Sequence, residues 1–271
     1  EWAKARLAKS PRHQEWVNIK HGDRTVSAFI VYPEVKTKAT AVVVIHEVFG
    51  MSDWVQSLTD QLAEAGYVAI APDLLSGMGP KGGGTSDFGA DREGVGKAIR
   101  GLAPDQVTAD LNAVADYVAK LPASNGKVTV TGYCWGGSQS FRFATNRTDL
   151  KAAFVFYGSA PETKEELARI KAPVYGFYAE NDARINQTLP KTFELMKASG
   201  KKFEPVTYEG AGHGFMRAGD APEPKAAQAT GDAAADAKAT EEHQKALTAY
   251  QANKKARDES WVRWKALLAA I

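Results

Sequence analysis

A single cysteine lies in a glycine-rich motif that is typical of a nucleophile held at a sharp turn. Cys134 follows the apolar run KVTVT and has Gly132 and Gly136 two positions away on either side. A strand that turns abruptly into a helix needs minimal side chains at these flanking positions. The N-terminus of the helix offers backbone N–H groups and a positive dipole end, which favour a thiolate and a developing oxyanion. The motif therefore predicts a nucleophilic Cys134; the alternative is a buried, inert cysteine.

A cysteine nucleophile needs a base and an acid that orients it. His213 lies on a small-residue loop, GAGHGF, just after the apolar segment FEPVTY. Asp182 follows the apolar run VYGFY in the segment YAEND, with Glu180 as the alternative acid. The chain order Cys134, Asp182, His213 is the nucleophile–acid–base order of α/β-hydrolases. We therefore predict a catalytic triad of these three residues.

The segment His46-Glu47-Val48-Phe49-Gly50 comes at the end of the apolar run VVVI. A zinc helix would need a second histidine where Gly50 stands, so no metal site is expected. In an α/β-hydrolase this loop supplies one oxyanion-hole N–H, here that of Val48, alongside the N–H of Trp135. Glu47 then brings a carboxylate near Cys134 as a catalytic proton acceptor or partner. The alternative is a salt-bridged loop glutamate.

The remaining pattern indicates the elements that must position these residues. Short apolar runs rich in Val, Ile, Phe and Tyr, such as ATAVVVIHE and YVAIAPDL, suit strands buried on both faces of a mainly parallel sheet. Segments with apolar residues at helical spacing lie between them. We predict the α/β class: a mainly parallel central sheet flanked by helices on both faces, as in the α/β-hydrolase fold.

One domain over 1–271 is expected, with three segments outside its compact core. These are an N-terminal helical extension (1–12), an Ala-rich insert (218–250) and a C-terminal helix (251–271). The Gly-rich segment 76–94 is predicted to be a long loop. It contains a G-x-G-x-x-G match at 77–82, but Pro80 prevents a helix from opening there, so no dinucleotide or other cofactor is expected.

Composition restricts the partners. The 271 residues carry a net charge of +2 and a single cysteine, which excludes an intramolecular disulfide. The near-neutral balance argues against a nucleic-acid binder, and no apolar run is long enough to span a membrane. We expect a small-molecule substrate and a monomer or homodimer. The location is open between the cytoplasm and, if a signal peptide was removed, the periplasm or the exterior.

The motifs HEVFG, APDL, SNGKVTVTGYCWGG and GAGHGF together resemble the dienelactone hydrolase (carboxymethylenebutenolidase) family. The resemblance implies the same triad, with Glu47 holding the resting thiol until substrate binding releases it. It also implies a carboxylated substrate gripped by Arg217 and, with less weight, Arg92. For both arginines the alternative is an ordinary surface role. Phe49 and Phe215 are predicted apolar walls of the substrate pocket.

The resulting functional prediction is a hydrolase that cleaves small lactones or carboxylic esters through an acyl-enzyme on cysteine. One alternative is a promiscuous carboxylesterase or phosphotriesterase that uses the same triad. Another, outside enzymes, is a redox or ligand-binding protein that keeps the fold with an idle thiol. The complete triad disfavours a pure binding module.

Overall fold

A computed structural model describes all residues, 1–271, and is built around an eight-stranded sheet in the order β1-β2-β4-β3-β5-β6-β7-β8. The β1–β2 and β2–β4 pairs are antiparallel, and the other pairs are parallel. The strands are β1 Gln14–His21, β2 Arg24–Val31, β3 Ala39–Ile45, β4 Val68–Pro72, β5 Ser124–Tyr133, β6 Ala153–Phe156, β7 Val174–Asn181 and β8 Phe203–Gly212.

Ten α-helices and one 3₁₀ turn (Thr85–Phe88) connect and cover the strands. No helix is both long and apolar enough to cross a membrane. The helices are α1 Trp2–Leu7, α2 Asp53–Glu64, α3 Arg92–Arg100, α4 Pro104–Ala119, α5 Trp135–Asn146, α6 Lys164–Ala168, α7 Ala183–Asn186, α8 Leu189–Ala198, α9 Phe215–Ala218 and α10 Ala233–Ala269.

The sheet is buried on both faces, as the continuous apolar runs predict. Every residue of β3 is buried, and its side chains alternate between two apolar clusters on opposite faces. The α4 and α5 helices pack on one face, whereas α2 and the C-terminal part of α10 pack on the other. Because parallel strands place their carboxyl ends along one edge, β3, β5, β7 and β8 deliver their following loops to a common site. The predicted fold class is confirmed.

Three predicted elements differ in extent from the observed ones. The boundary at residue 251 is wrong, since α10 runs unbroken from Ala233 to Ala269. No Gly or Pro interrupts this stretch, and ion pairs such as Glu241–Lys245 support its exposed half. The N-terminal helix is shorter than predicted and ends at Leu7. The segment 76–94 is not wholly a loop, because it contains the 3₁₀ turn and the start of α3.

Candidate active site

Cys134 occupies the turn between β5 and α5 in a strained conformation. Its φ is 56°, in the left-handed region that residues with a Cβ rarely adopt. A Cβ on Gly132 would overlap the Gly136 carbonyl, and a Cβ on Gly136 would overlap the carbonyl oxygens of Ile45 and His46. Both glycines are therefore required for β5, α5 and β3 to approach so closely. This geometry holds the thiol, which is partly exposed, at the start of a helix.

The loops after β7 and β8 bring an acid and an imidazole together. His213 Nδ1 lies 2.5 Å from Asp182 Oδ2, and the Asp182 side chain is 5 % exposed. Glu180 instead accepts a hydrogen bond from the Gly210 N–H at 2.8 Å, so it braces the histidine loop without contacting the ring. Of the two predicted acids, Asp182 is therefore the one that contacts His213.

The environment of His213 raises its pKa to about 8. Burial opposes the charged form, but hydrogen bonding and charge from Cys134 and Asp182 outweigh that penalty. The Tyr157 ring packs edge-on against the imidazole, with centroids 5.0 Å apart. Cys134, His213 and Asp182 thus form one electrostatically connected group.

The two predicted oxyanion-hole groups lie on the segments that meet at Cys134. Val48 follows Glu47 in the loop after β3, and its N–H has no acceptor among the protein groups. Trp135 is the first residue of α5, where a backbone N–H has no carbonyl partner within the helix. Both N–H groups are therefore available for an oxyanion, although their place in a hole stays a prediction.

Glu47 is paired with Arg217. Arg217 Nε donates to Glu47 Oε2 at 2.9 Å, and no hydrogen bond joins Glu47 to Cys134. Burial raises the pKa of Glu47, while the charges of Arg217 and His213 partly offset that rise. The salt-bridged reading of Glu47 describes this structure, and its predicted contact with the resting thiol is not seen in it.

Arg217 also lines a cavity of about 590 Å³, whose lining does not include Cys134, Asp182 or His213. Arg92 and Phe49 line the same cavity, together with Trp2 and Trp54. The Arg217 guanidinium lies over the Phe49 ring at 5.2 Å. The two arginines and the phenylalanine that are predicted to contact the substrate therefore line the same cavity.

Phe215 does not line that cavity. It is fully buried and packs on Tyr157 and Tyr208, because the chain turns at Gly214 with a positive φ and directs Phe215 inward. Its predicted place in the pocket wall is therefore corrected to support of the histidine loop.

Sequence reasoning missed three contributors to the site. Tyr157 stands behind His213 with φ 41°, and the only signal for it is a Tyr-Gly pair after the run AAFVF. His46 is the first residue of the loop that carries Val48, and its ring stacks on Trp135. Trp2, on α1, lines the cavity, and nothing local in the sequence indicates that this helix folds over the site.

Replacing Arg217 with methionine is expected to destabilise the protein in a pH-dependent way. Glu47 is 2 % exposed and Arg217 is 40 % exposed, so we expect a loss of about 1–3 kcal/mol near pH 7, less than for a fully buried pair. Without Arg217, the raised pKa of Glu47 rises further. A carboxyl whose folded-state pKa is raised contributes stability below its unfolded pKa and loses it as pH rises through the folded value.

Urea unfolding of this variant at several pH values should therefore show a deficit that is small near about pH 4.5 and grows toward pH 8. The matched control is Arg92→Met, since Arg92 is exposed in the same cavity and forms no ion pair. Equal deficits in both variants, or one that does not change with pH, would contradict this assignment.

A Cys134→Ala substitution should lower the pKa of His213 from about 8, because Cys134 contributes a hydrogen bond and charge that raise it. An NMR titration of the histidine ring measures this directly. Ser138→Ala is the control, since Ser138 lies one turn further along α5 and bonds to Ser159 instead. An unchanged His213 pKa in Cys134→Ala would show that the sulfur and the ring do not interact.

A residue at a strained strand-to-helix turn, followed by an acid and a histidine after the last two strands of a mainly parallel sheet, defines the α/β-hydrolase class. Residues 26–271 match the Dienelactone hydrolase family, and the chain belongs to it. This confirms the resemblance and assigns the protein to a family of hydrolases.

Named relatives agree with that assignment, and solved structures agree with the fold. The chain is 33 % identical over 185 residues to a Salmonella typhi protein named "Putative carboxymethylenebutenolidase", covering 64 % of this chain and 67 % of the relative. A Yersinia pestis protein of the same name is 30 % identical over 199 residues, covering 69 % and 73 %. The crystal structure of a Klebsiella pneumoniae protein titled "Putative Dienelactone Hydrolase" matches with a TM-score of 0.74 at 23 % identity, covering 96 % of this chain and 99 % of that one.

A dienelactone hydrolase-like promiscuous phosphotriesterase from metagenomic libraries has a TM-score of 0.66 at 20 % identity, covering 88 % of this chain and 98 % of that one. Both solved structures support the fold.

Proposed function

We propose that this hydrolase cleaves small lactones or carboxylic esters through an acyl-enzyme on Cys134. The observation that carries the proposal is the strained Cys134 at the N-terminus of α5, electrostatically connected to a His213 that is bonded to Asp182. The pKa of His213, about 8, favours an imidazolium at neutral pH. The thiolate is the nucleophilic form of a cysteine, and an adjacent imidazolium and a helix N-terminus both favour that form.

In the first half-reaction the Cys134 sulfur attacks the substrate carbonyl carbon. The carbonyl π electrons move to oxygen, and the N–H groups of Val48 and Trp135 stabilise that oxyanion. When it collapses, the bond to the leaving oxygen breaks, and His213 gives its proton to that oxygen. A lactone yields an acyl-enzyme whose leaving group stays tethered.

In the second half-reaction His213 takes a proton from water, and the resulting hydroxide equivalent attacks the thioester. The acylated sulfur carries no charge, so its contribution to the raised pKa of His213 is absent at this stage. The imidazole is therefore a neutral base when one is needed. Collapse of the second intermediate releases the carboxylic acid and restores the thiolate.

Arg217 and Arg92 suit a substrate that bears a carboxylate, since both face the cavity that Phe49 also lines. A second candidate, a carboxylesterase or phosphotriesterase acting on neutral substrates, is favoured by two observations. The Arg217 charge is already paired with Glu47, and Trp2 and Trp54 give the cavity an apolar wall.

Hydrolysis of a carboxylated dienelactone and of neutral p-nitrophenyl acetate, by wild type and the Cys134→Ala and Arg217→Met variants, separates these candidates. We expect the wild type to prefer the lactone and Cys134→Ala to lose both activities. Arg217→Met should lose more activity toward the lactone than toward the ester. Preference for the neutral ester with no selective effect of Arg217 supports the second candidate. Reversible oxidation of Cys134 with no turnover supports an idle-thiol protein and contradicts the proposal.

A further inference from the structure

His46 is a fully buried histidine that the proposed reaction does not use. Its Nε2 accepts a hydrogen bond from the Leu74 N–H at 3.3 Å, so the ring proton is assigned to Nδ1. Nδ1 lies 2.8 Å from the Glu47 carbonyl oxygen, to which it then donates. Burial lowers the pKa of His46, and the neighbouring Asp73 carboxylate offsets this only in part. The ring is therefore neutral, in a single tautomer.

The hydrogen bond from His46 to the Glu47 carbonyl oxygen also affects the direction of the Val48 N–H. That carbonyl and the Val48 N–H belong to one peptide group, which is planar and trans, so the two point in opposite directions. The same carbonyl also accepts from the Gly50 N–H at 3.1 Å. Two donors thus fix its direction, and with it the direction of the Val48 N–H.

The His46 ring also contacts the second half of the predicted oxyanion hole. It stacks on the Trp135 indole, with centroids 5.6 Å apart and planes 15° from parallel. Its own carbonyl lies so close to Gly136 that no Cβ fits there. His46 therefore touches both segments that carry the proposed oxyanion donors.

The segment that donates to His46 Nε2 is itself held by hydrogen bonds. Leu74 follows Asp73, whose carboxylate accepts from the Thr85 N–H at 2.7 Å and from the Thr85 hydroxyl at 2.8 Å. The Thr85 hydroxyl oxygen accepts from the Met51 N–H at 3.2 Å, which secures the far end of the loop after β3. The loop is thus held at both ends, by the hydrogen bonds of His46 at its start and by Thr85 at Met51.

We propose that His46 is a positioning residue, which through its Nδ1–H bond to the Glu47 carbonyl aims the Val48 N–H at the oxyanion formed at Cys134. This inference depends on the proposed hydrolysis. His46 acts through a peptide group, since the hydrogen bonds of its ring are to the Glu47 carbonyl and the Leu74 N–H.

Two substitutions test the roles of the two ring nitrogens of His46 separately. The Asn amide nitrogen occupies the place of Nδ1, so His46→Asn keeps a donor for the Glu47 carbonyl. The Gln amide reaches the place of Nε2, so His46→Gln keeps a partner for Leu74 and loses that donor. Misaligning one oxyanion donor should lower kcat for p-nitrophenyl acetate about 100-fold in His46→Gln with little change in KM, whereas His46→Asn retains most of it.

Alkylation of Cys134 by iodoacetamide is the control reaction, because it measures the reactivity of the thiol without an oxyanion. The sulfur–carbon bond forms as iodide leaves, and no oxyanion develops. Its rate should stay within about threefold of wild type in both variants. The inference is overturned if alkylation falls in parallel with kcat, if His46→Asn is as damaging as His46→Gln, or if neither variant differs from wild type.

Wild-type protein provides a test that needs no variant. ¹⁵N NMR of the His46 ring should show a protonated Nδ1 and an unprotonated Nε2. The opposite tautomer would overturn the inference even if the substituted proteins fail to fold. A wild type whose Cys134 alkylates but which hydrolyses no ester would instead contradict the proposed function.

Discussion

Substituting alanine for Cys134 is expected to lower kcat for ester hydrolysis by at least about 10⁴-fold, because the proposed reaction then has no nucleophile. The fold should survive. The thiol is small and partly exposed, and the φ of 56° at this position costs alanine no more than cysteine. The measurement is steady-state hydrolysis of p-nitrophenyl acetate, with circular dichroism to verify folding.

Ser138→Ala is the control for this prediction. Ser138 carries a hydroxyl in the same helix, but it hydrogen-bonds to Ser159 at 3.1 Å and lies one turn beyond Cys134. It should change kcat by less than about threefold. If Ser138→Ala lost most of its activity while Cys134→Ala stayed active, the nucleophile would not be Cys134, and the prediction would be contradicted.

Asp182→Asn is expected to lower kcat by about 10³- to 10⁴-fold. The carboxylate accepts from His213 Nδ1 at 2.5 Å, which fixes the ring orientation and stabilises the imidazolium. An amide in its place removes that charge and favours the wrong tautomer. The pKa of His213 should also fall, since Asp182 helps to raise it.

Glu180→Gln is the matched control two residues earlier. Glu180 is exposed and its carboxylate accepts only from the Gly210 N–H, so the loss of that carboxylate should lower kcat by less than about tenfold. If Glu180→Gln were as damaging as Asp182→Asn, the acid would be misassigned.

Much of the architecture could be predicted because its signals are local. The continuous apolar runs of β3 and β6 match strands buried on both faces, and the glycines around Cys134 match a turn that has no room for side chains. Cys134, Asp182 and His213 follow β5, β7 and β8, and these strands have the same order along the chain and across the sheet.

Other features depend on long-range contacts that no short segment reveals. Arg217 pairs with Glu47 across 170 positions, and Arg6 of α1 pairs with Asp220 across 214. Phe215 lies two residues from His213, yet the turn at Gly214 buries it. The unbroken α10 was missed because its exposed half lacks an apolar stripe, the periodic signal from which a packed helix is predicted.

The central claim is that a substrate acyl group becomes bonded to Cys134. Mass spectrometry of protein quenched in acid during turnover of a p-nitrophenyl ester tests it most directly, since the chain has one cysteine. The account predicts an adduct with the mass of the acyl group on the peptide that contains Cys134, formed with a burst of nitrophenol. Turnover with an unmodified Cys134, or with the acyl group on another residue, would contradict it.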